Sequence, residues 1–407
     1  MSEGDGISRR RLLQLGLGAA AGGALLESGT ALAAQSEGSL PQVPRRRLGK
    51  TGTDVPILLM GGSMQFDQRF DPKLAECLRF GLNYFDTADC YAGGTSEMAI
   101  GNFLDRTKKR DAVWITTKSD RWDPRGLEET IQTGLSRLKT DHVDLYFMHE
   151  LDDAALISPQ TARVAEKLKK EGRIKNFGFS CHSGNVVDLL NKASQQSWVD
   201  AIMFRYNFRQ YGNAELNRAI DACAKADIGL IAMKTQSSEA GVADAAKKFV
   251  QTGKWNKYQA VLKAVWADPR ISAAVSHMDN FDKLKQNIAA AVDKSELGAL
   301  DRQSIERYAQ DTRSMACDGC DHLCNPAVKA PVQIGATLRC LTYYDAYGQP
   351  EFAREQFQRL PARARRLEGV DFSGANQACP HGVDVVALME RARKVLAEPA
   401  DPVGGTG

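Results

Sequence analysis

The sequence predicts an α/β fold, a closed (β/α)8 barrel of the TIM type, on three observations. Eight short apolar segments recur at regular intervals, each is followed by a stretch of 3.6-residue periodicity, and the series occupies about 240 residues, the size of an eight-stranded barrel. Strands are expected at 57–61, 83–86, 112–117, 143–149, 176–180, 201–206, 228–233 and 271–276. Helices are expected at 72–80, 96–105, 124–138, 159–171, 185–193, 214–224, 257–266 and 280–292. The strand segments do not alternate apolar with polar residues, which suits a parallel sheet with both faces covered. A doubly wound open sheet is the weaker alternative, because no Gly-x-Gly-x-x-Gly follows the first strand.

The 407 residues, 43% of them hydrophobic, can build one large core and still leave material for appendages. A net charge of +3 from 53 basic and 50 acidic residues is too evenly balanced for a phosphate-binding surface, so no nucleic-acid partner is expected. Ser8-Arg9-Arg10-Arg11-Leu12-Leu13 precedes a weakly apolar run over 12–26, and Ala31-Leu32-Ala33 offers a small-x-small cleavage site. Residues 1–33 therefore resemble a twin-arginine signal peptide, which implies the twin-arginine export machinery as a partner and the periplasm or cell envelope as destination. The run is too short and too rich in Gly and Ala for a membrane span of about 20 residues. Residues 34–44 read as a linker containing Pro41 and Pro44, 45–300 as the barrel, and 301–398 as a C-terminal helical, cysteine-containing extension.

Barrels of this type carry their chemistry at the C-terminal ends of the strands. Asp86 closes the second expected strand, Tyr91 lies in the loop beyond it, Lys118 ends the third and His149 ends the fourth. An acid, a phenol, an amine and an imidazole at one mouth suit the reduction of a carbonyl by hydride, since the alkoxide formed must receive a proton. Tyr91 is the candidate general acid. Lys118 would lower the phenol's pKa from about 10, Asp86 would pair with Lys118, and His149 would donate a hydrogen bond to the carbonyl oxygen. Taken singly, a strand-end lysine is more often a solvated rim residue and a lone histidine a satisfied core group.

Further segments join these residues into one pattern. They are Arg47-Leu48-Gly49-Lys50-Thr51-Gly52, Asp86-Thr87-Ala88 with Tyr91, Ser96-Glu97, Lys118, His149, Phe177-Gly178-Phe179-Ser180 and Leu284-Lys285-Gln286-Asn287. By them the sequence resembles the aldo/keto reductases over about 250 residues. The resemblance implies a small-molecule aldehyde or ketone substrate and NADP(H) or NAD(H) extended across the barrel mouth. The positions it implies for cofactor binding are Gly62, Ser180, Met203, Met233, Lys234, Ser276, Met278, Gln286 and Asn287. Cys181 stands where the family commonly has Asn, and Met203 where it commonly has Gln. Met233-Lys234 replaces the common aromatic stacker and resembles an iron–sulfur branch of the family. Residues 276–280 lack an Arg that would grip a 2′-phosphate, so NADPH and NADH stay undecided. The alternative reading is an exported non-catalytic or electron-transfer barrel that has lost tight nicotinamide binding.

Beyond the barrel, Cys317-x-x-Cys320-x-x-x-Cys324 is followed by Cys379-Pro380. The Cys-Pro ending resembles the last ligand of bacterial ferredoxin-type clusters. Cys317, Cys320, Cys324 and Cys379 are thus candidate ligands of one [4Fe-4S] cluster, with Cys340 as a spare, in a ferredoxin-like extension. Structural zinc or disulfides are the alternatives. Such a cluster would be an electron relay to a redox partner or a structural staple. Cys77, Cys90, Cys181 and Cys223 fall in barrel elements and read as small buried hydrophobes. The arginine-rich stretch 352–366 reads as a solvated helix face, 385–396 as an amphipathic helix packing on the barrel, and 235–241 as a short polar loop.

Overall fold

The computed structural model describes residues 40–236 and 246–397. The expected signal peptide, the first part of the linker, most of the loop 235–241 and residue 398 lie outside the described residues. Ten strands form two sheets. β1 (Arg45–Arg47) and β2 (Asp54–Pro56) make an antiparallel pair. β3 (Leu58–Gly61), β4 (Tyr84–Asp86), β5 (Trp114–Ser119), β6 (Val143–Met148), β7 (Ile174–Cys181), β8 (Ala201–Arg205), β9 (Gly229–Met233) and β10 (Ala273–Ser276) close into one parallel barrel.

The eight barrel helices follow in order. They are α1 (Pro72–Arg79), α2 (Thr95–Thr107), α3 (Pro124–Leu138), α4 (Pro159–Lys170), α5 (Val186–Ala193), α6 (Ala214–Lys225), α7 (Lys257–Trp266) and α8 (Phe281–Val292). α1, α3 and α4 begin alike: Asp71, Asp123 and Ser158 each accept a backbone N–H in the first turn, and a proline follows where the missing N–H costs nothing. Every expected strand and helix is present, with ends displaced by at most two residues. One two-residue displacement matters to the site. β5 continues through Lys118 to Ser119 because its pairing with β6 runs on to Ser119 opposite Met148.

Two layers of apolar side chains hold this arrangement. Leu59, Tyr84, Phe147, Met203 and Ile231 fill the barrel interior, and Ile115, Tyr146, Phe177 and Phe204 pack outward against the helices. The β1–β2 hairpin, too short and too arginine-rich to be read as strand from sequence, closes the lower end. Its Leu48 and Val55 are fully buried in the interior layer, and Arg46 hydrogen-bonds the carbonyls of Trp266, Asp268 and Ile271. Residues at the end of the expected linker are docked as well: Val43 is buried and its N–H donates to the Phe80 carbonyl at 2.8 Å.

The barrel unit also runs past residue 300. α9 (Ala299–Asp311) packs on it through Tyr308, whose ring lies 5.5 Å from Phe208 and 5.7 Å from Phe249. The remaining helices are α10 (Asp321–Cys324), α11 (Ile334–Asp345), α12 (Pro350–Arg359), α13 (Ser373–Ala378) and α14 (Val385–Leu396). They share a second core of Ile334, Leu338, Leu341, Phe357, Leu367, Met389 and Leu396. α14 was expected on the barrel; it packs instead on α11, α12 and α13, which match its apolar stripe. The arginine-rich helix stops at Arg359, and although Arg363 and Arg366 are exposed, Arg359 pairs with Asp120 of the barrel. Among the described residues no helix is long and apolar enough to cross a membrane.

Gly178 marks the tightest strand contact in the barrel, since a Cβ there would lie 1.8 Å from the Ala201 carbonyl oxygen. Gly178→Ala is expected to cost about 2–3 kcal/mol by overpacking and to lower the melting temperature by roughly 5–10 °C, read by thermal circular dichroism.

Candidate active site

Asp86 and Lys118 meet inside the barrel mouth. Both are almost wholly buried, and Nζ lies 2.8 Å from each carboxylate oxygen. Nζ also donates to the Thr87 carbonyl at 2.7 Å and to the Tyr91 hydroxyl at 3.3 Å, so the ammonium is fully partnered. Burial pushes the Asp86 carboxyl above its usual range, against the opposing pull of Lys118.

Tyr91 is placed by its own turn. Ala92, Gly93 and Gly94 all have positive φ, at 48, 63 and 89°, which folds the chain back so that the phenol lies over Lys118. The missing side chain of Gly94 admits the Arg137 guanidinium, which donates to Glu97 and to the Asp89 carbonyl at 3.1 Å each. Ala92, a residue with a Cβ, bears the strain of the left-handed region here. The sequence reading had Lys118 acidify Tyr91. Here burial, and after it the Asp86 carboxylate, push the phenol well above its ordinary pKa instead.

His149 stands one residue beyond β6 with its ring edge-on to Tyr91 at 5.5 Å. Its Nδ1 lies 2.6 Å from Asp120 and 3.5 Å from the Cys90 thiol. Burial raises the Asp120 carboxyl, but His149 and Arg359 outweigh it and hold it down at about 2.

A cavity of about 440 Å³ opens over these residues. Asp86, Tyr91 and His149 line it, together with Met203, Met233, Lys234, Ser276, Gln286 and Asn287 from the positions implied for cofactor binding. Gln236, Ser276 and Asn287 form a closed triangle of hydrogen bonds on its wall, at 2.5 to 3.0 Å. Three implied positions are not on the wall. Met278 is fully buried among the helix-facing apolar residues, Ser180 lies beneath the rim and accepts the Glu150 N–H at 3.1 Å, and Gly62 is packed against the Asp86 carbonyl.

Lys234 is the unusual wall residue. It has φ +57°, and its Nζ lies 3.2 Å from the Tyr343 hydroxyl and 4.6 and 5.4 Å over the Tyr343 and Tyr347 rings. Burial, and then the charges of Arg339 and Arg205, bring its pKa down to about 7. Tyr343 comes from α11, Tyr347 from the turn after it and Phe352 from α12, so the second unit roofs the cavity. Sequence reasoning missed these residues and Asp120, Glu150 and His182. The cluster of aromatic residues from Tyr343 to Phe352 and an acid two residues past the strand-end lysine were the available signals.

Cys317, Cys320, Cys324 and Cys379 line a second, small cavity with Asp318, Pro380 and His381. The Gly319 N–H points at Cys317 Sγ and the Val383 N–H at Cys379 Sγ, each at 3.4 Å. Cys340 is buried in the helical core and is not on that wall. All nine cysteines are free thiols, so the disulfide alternative is not realised. Arg205 at the end of β8 donates to the Cys317 carbonyl at 3.3 Å and ties the cysteine loop to the barrel.

The sequence profile of the Aldo/keto reductase family matches residues 59–305, more than half of the chain. The uncharacterized oxidoreductase YqkF of Bacillus subtilis (strain 168) is 28% identical over 179 residues, covering 40% of this chain and 56% of that protein. The D-threo-aldose 1-dehydrogenase of a Pseudomonas species is 28% identical over 190 residues, covering 39% of this chain and 56% of that protein. The chain thus spans about half the length of these curated relatives. Among solved structures, the holo form of the aldo-keto reductase AKR11C1 from Bacillus halodurans superposes with a TM-score of 0.54 at 23% identity, over 66% of this chain and 96% of that one. The thermostable aldo-keto reductase Tm1743 gives 0.54 at 21% identity, over 65% and 99%. At these identities the likeness is one of fold. With the profile spanning the strands that carry Asp86, Lys118 and His149, the chain belongs to the aldo/keto reductase family.

Proposed function

We propose that this oxidoreductase reduces an aldehyde or ketone, or oxidises the corresponding alcohol, with NADP(H) or NAD(H) as hydride carrier and Tyr91 as general acid. The observation that carries the reading is one continuous cavity with the phenol and imidazole on its wall, Lys118 buried against the phenol, and six of the implied cofactor positions around it. Its size is that of a small-molecule site. A bound nicotinamide supplies the hydride. Lys118 donates to the phenol oxygen, so the Tyr91 O–H is turned away from it and toward the cavity. The raised pKa keeps that proton on the phenol until an alkoxide forms beside it. Lys234, one of two lysines on the wall with Lys283, is a cation able to meet a dinucleotide phosphate. A barrel that only binds or relays electrons has no need of a phenol held on a buried ion pair, and family membership weighs the same way.

Tyr91→Phe is expected to lower kcat for carbonyl reduction by about 100- to 10,000-fold, with the dissociation constant for the dinucleotide, read by fluorescence titration, changed less than about threefold. A variant of undiminished kcat removes Tyr91 from the role. Because Lys234 is charged below about pH 7 and neutral above, dinucleotide affinity should weaken as pH rises from 6 to 8. Lys234→Met should flatten that dependence and cost about tenfold in affinity at pH 6, or 1.4 kcal/mol.

Cys317, Cys320, Cys324 and Cys379 are read as the ligands of a [4Fe-4S] cluster, which supplies one-electron storage when bound. Four thiols on one wall and two N–H groups aimed at sulfur support this, since such donors set cluster potentials. A single tetrahedral zinc would draw four thiolates to about 3.8 Å of one another. Among the described residues, the group of three or more ligating atoms gathered within 4.8 Å is Asp89, Cys90, Asp120 and His149, not these thiols. Residues 1–33 are read as a twin-arginine leader, a route that carries folded, cofactor-loaded proteins to the periplasm or cell envelope, where a redox partner would act. Anaerobically purified protein is expected to hold about four iron and four sulfide per chain, and Cys320→Ser markedly less. One zinc per chain and no sulfide would reject the cluster.

A further inference from the structure

We propose that Asp120 and Arg359 are positioning residues for His149, so that the helical unit beyond the barrel helps set up carbonyl reduction. The inference rests on the reading of His149 as the group that holds the substrate oxygen, and adds what fixes the imidazole and which part of the chain supplies it.

His149 is 4% exposed, and its Nδ1 lies 2.6 Å from Oδ1 of Asp120 in the loop after β5. An ionised carboxylate only accepts, so Nδ1 carries the proton and Nε2 is the ring nitrogen left for the cavity. A neutral ring held this way offers a lone pair at Nε2. A donor at Nε2 requires a second ring proton, and Asp120, an acceptor at Nδ1, is compatible with either state. The Cys90 thiol, 3.5 Å from the same nitrogen, is the weaker acceptor.

Asp120 is itself held from outside the barrel. Its Oδ2 accepts from Arg359 at 2.6 Å, across 239 positions of sequence, and Arg359 donates its other amino group to Glu355 at 2.9 Å, one turn back in α12. A carboxylate shared between an imidazole and a guanidinium has one orientation. Alone, a side chain one-third exposed in a loop would have several. At that exposure the pair adds little to stability, and its effect is on geometry. Arg359 is exposed like the neighbouring Arg363 and Arg366, and it reaches the barrel through its ion pair with Asp120. Asp89, Cys90, Asp120 and His149 bring their ligating atoms within 4.8 Å of one another, and Arg359 is the cation bound to that group; a metal ion at Asp120 would have to displace it.

The test uses the full-length holoprotein with Asp120→Ala, Arg359→Met and Arg359→Lys. The protein has six histidines, so 15N-histidine NMR can follow His149 once its resonances are assigned with His149→Gln. We expect a Nδ1–H signature in the parent, a mixture of tautomers in Asp120→Ala, and a shifted, broadened resonance in Arg359→Met that Arg359→Lys largely restores. Misplacing one reacting group by about 1 Å costs on the order of 100-fold, so kcat should fall about 100-fold in Asp120→Ala and about tenfold in Arg359→Met, with the KM for the dinucleotide unchanged. The proposal is overturned if kcat stays within about twofold and the His149 resonances do not move in either variant. If Arg359→Met lowers the melting temperature, Arg359→Lys and Asp120→Ala decide. A parent with no carbonyl reductase activity defeats the functional reading alone, because the nitrogen resonances still report whether Asp120 and Arg359 hold the ring.

Discussion

The chemistry of this barrel depends on the contact between the Asp86 carboxylate and the Lys118 ammonium. Two charges taken out of water at the end of adjacent strands are costly unless each is matched, and here Nζ has three acceptors within 3.3 Å. Removing one partner of such a pair typically costs about 3–5 kcal/mol, since the other is left buried and uncompensated. The parallel register makes the pairing possible: Asp86 lies opposite Thr116 on β5, so Lys118, two residues further, points to the same side of the sheet just above it. Tyr91 then rests on the ammonium, and the left-handed turn that follows can bring it nowhere else.

The second constraint is the roof. The cavity is completed by Tyr343, Tyr347 and Phe352 of the helical unit, and the contacts that bind that unit to the mouth include Arg339 to Glu150, Arg359 to Asp120, Arg205 to the Cys317 carbonyl and Lys234 to the Tyr343 hydroxyl. Two of these end on acids just past the ends of β5 and β6. The cysteine cavity thus lies beside the barrel mouth, and the Cys317–Cys320 loop touches the backbone at Gly184 just past β7.

The barrel was legible in the sequence because its information is local and repeated. Each strand is a continuous apolar run, and several helices announce themselves with a capping residue and proline. The β1–β2 hairpin was not legible, because three-residue strands of Arg-Arg-Arg and Asp-Val-Pro carry no periodicity; they exist through contacts with residues near 270. Asp86, Lys118 and His149 could be picked out because barrels of this type carry polar groups at strand ends, and the structure brings them together with Tyr91. Their electrostatics could not, since whether Lys118 acidifies Tyr91 or burial and Asp86 raise its pKa depends on distances that no spacing encodes. Met278, Ser180 and Gly62 were carried over by position, but the local path of the chain turns them into core and packing residues. The contacts that the roof tyrosines and Arg359 make with the barrel were not legible, for the same reason as the hairpin, being long-range.

The Arg46 clamp has a bearing on how the molecule is made. Its three carbonyl acceptors lie about 220 residues downstream, in the segment linking the last two barrel repeats. During synthesis the N-terminal hairpin therefore emerges from the ribosome long before the groups that anchor it, and the floor of the barrel can be sealed only once the final repeat has been translated.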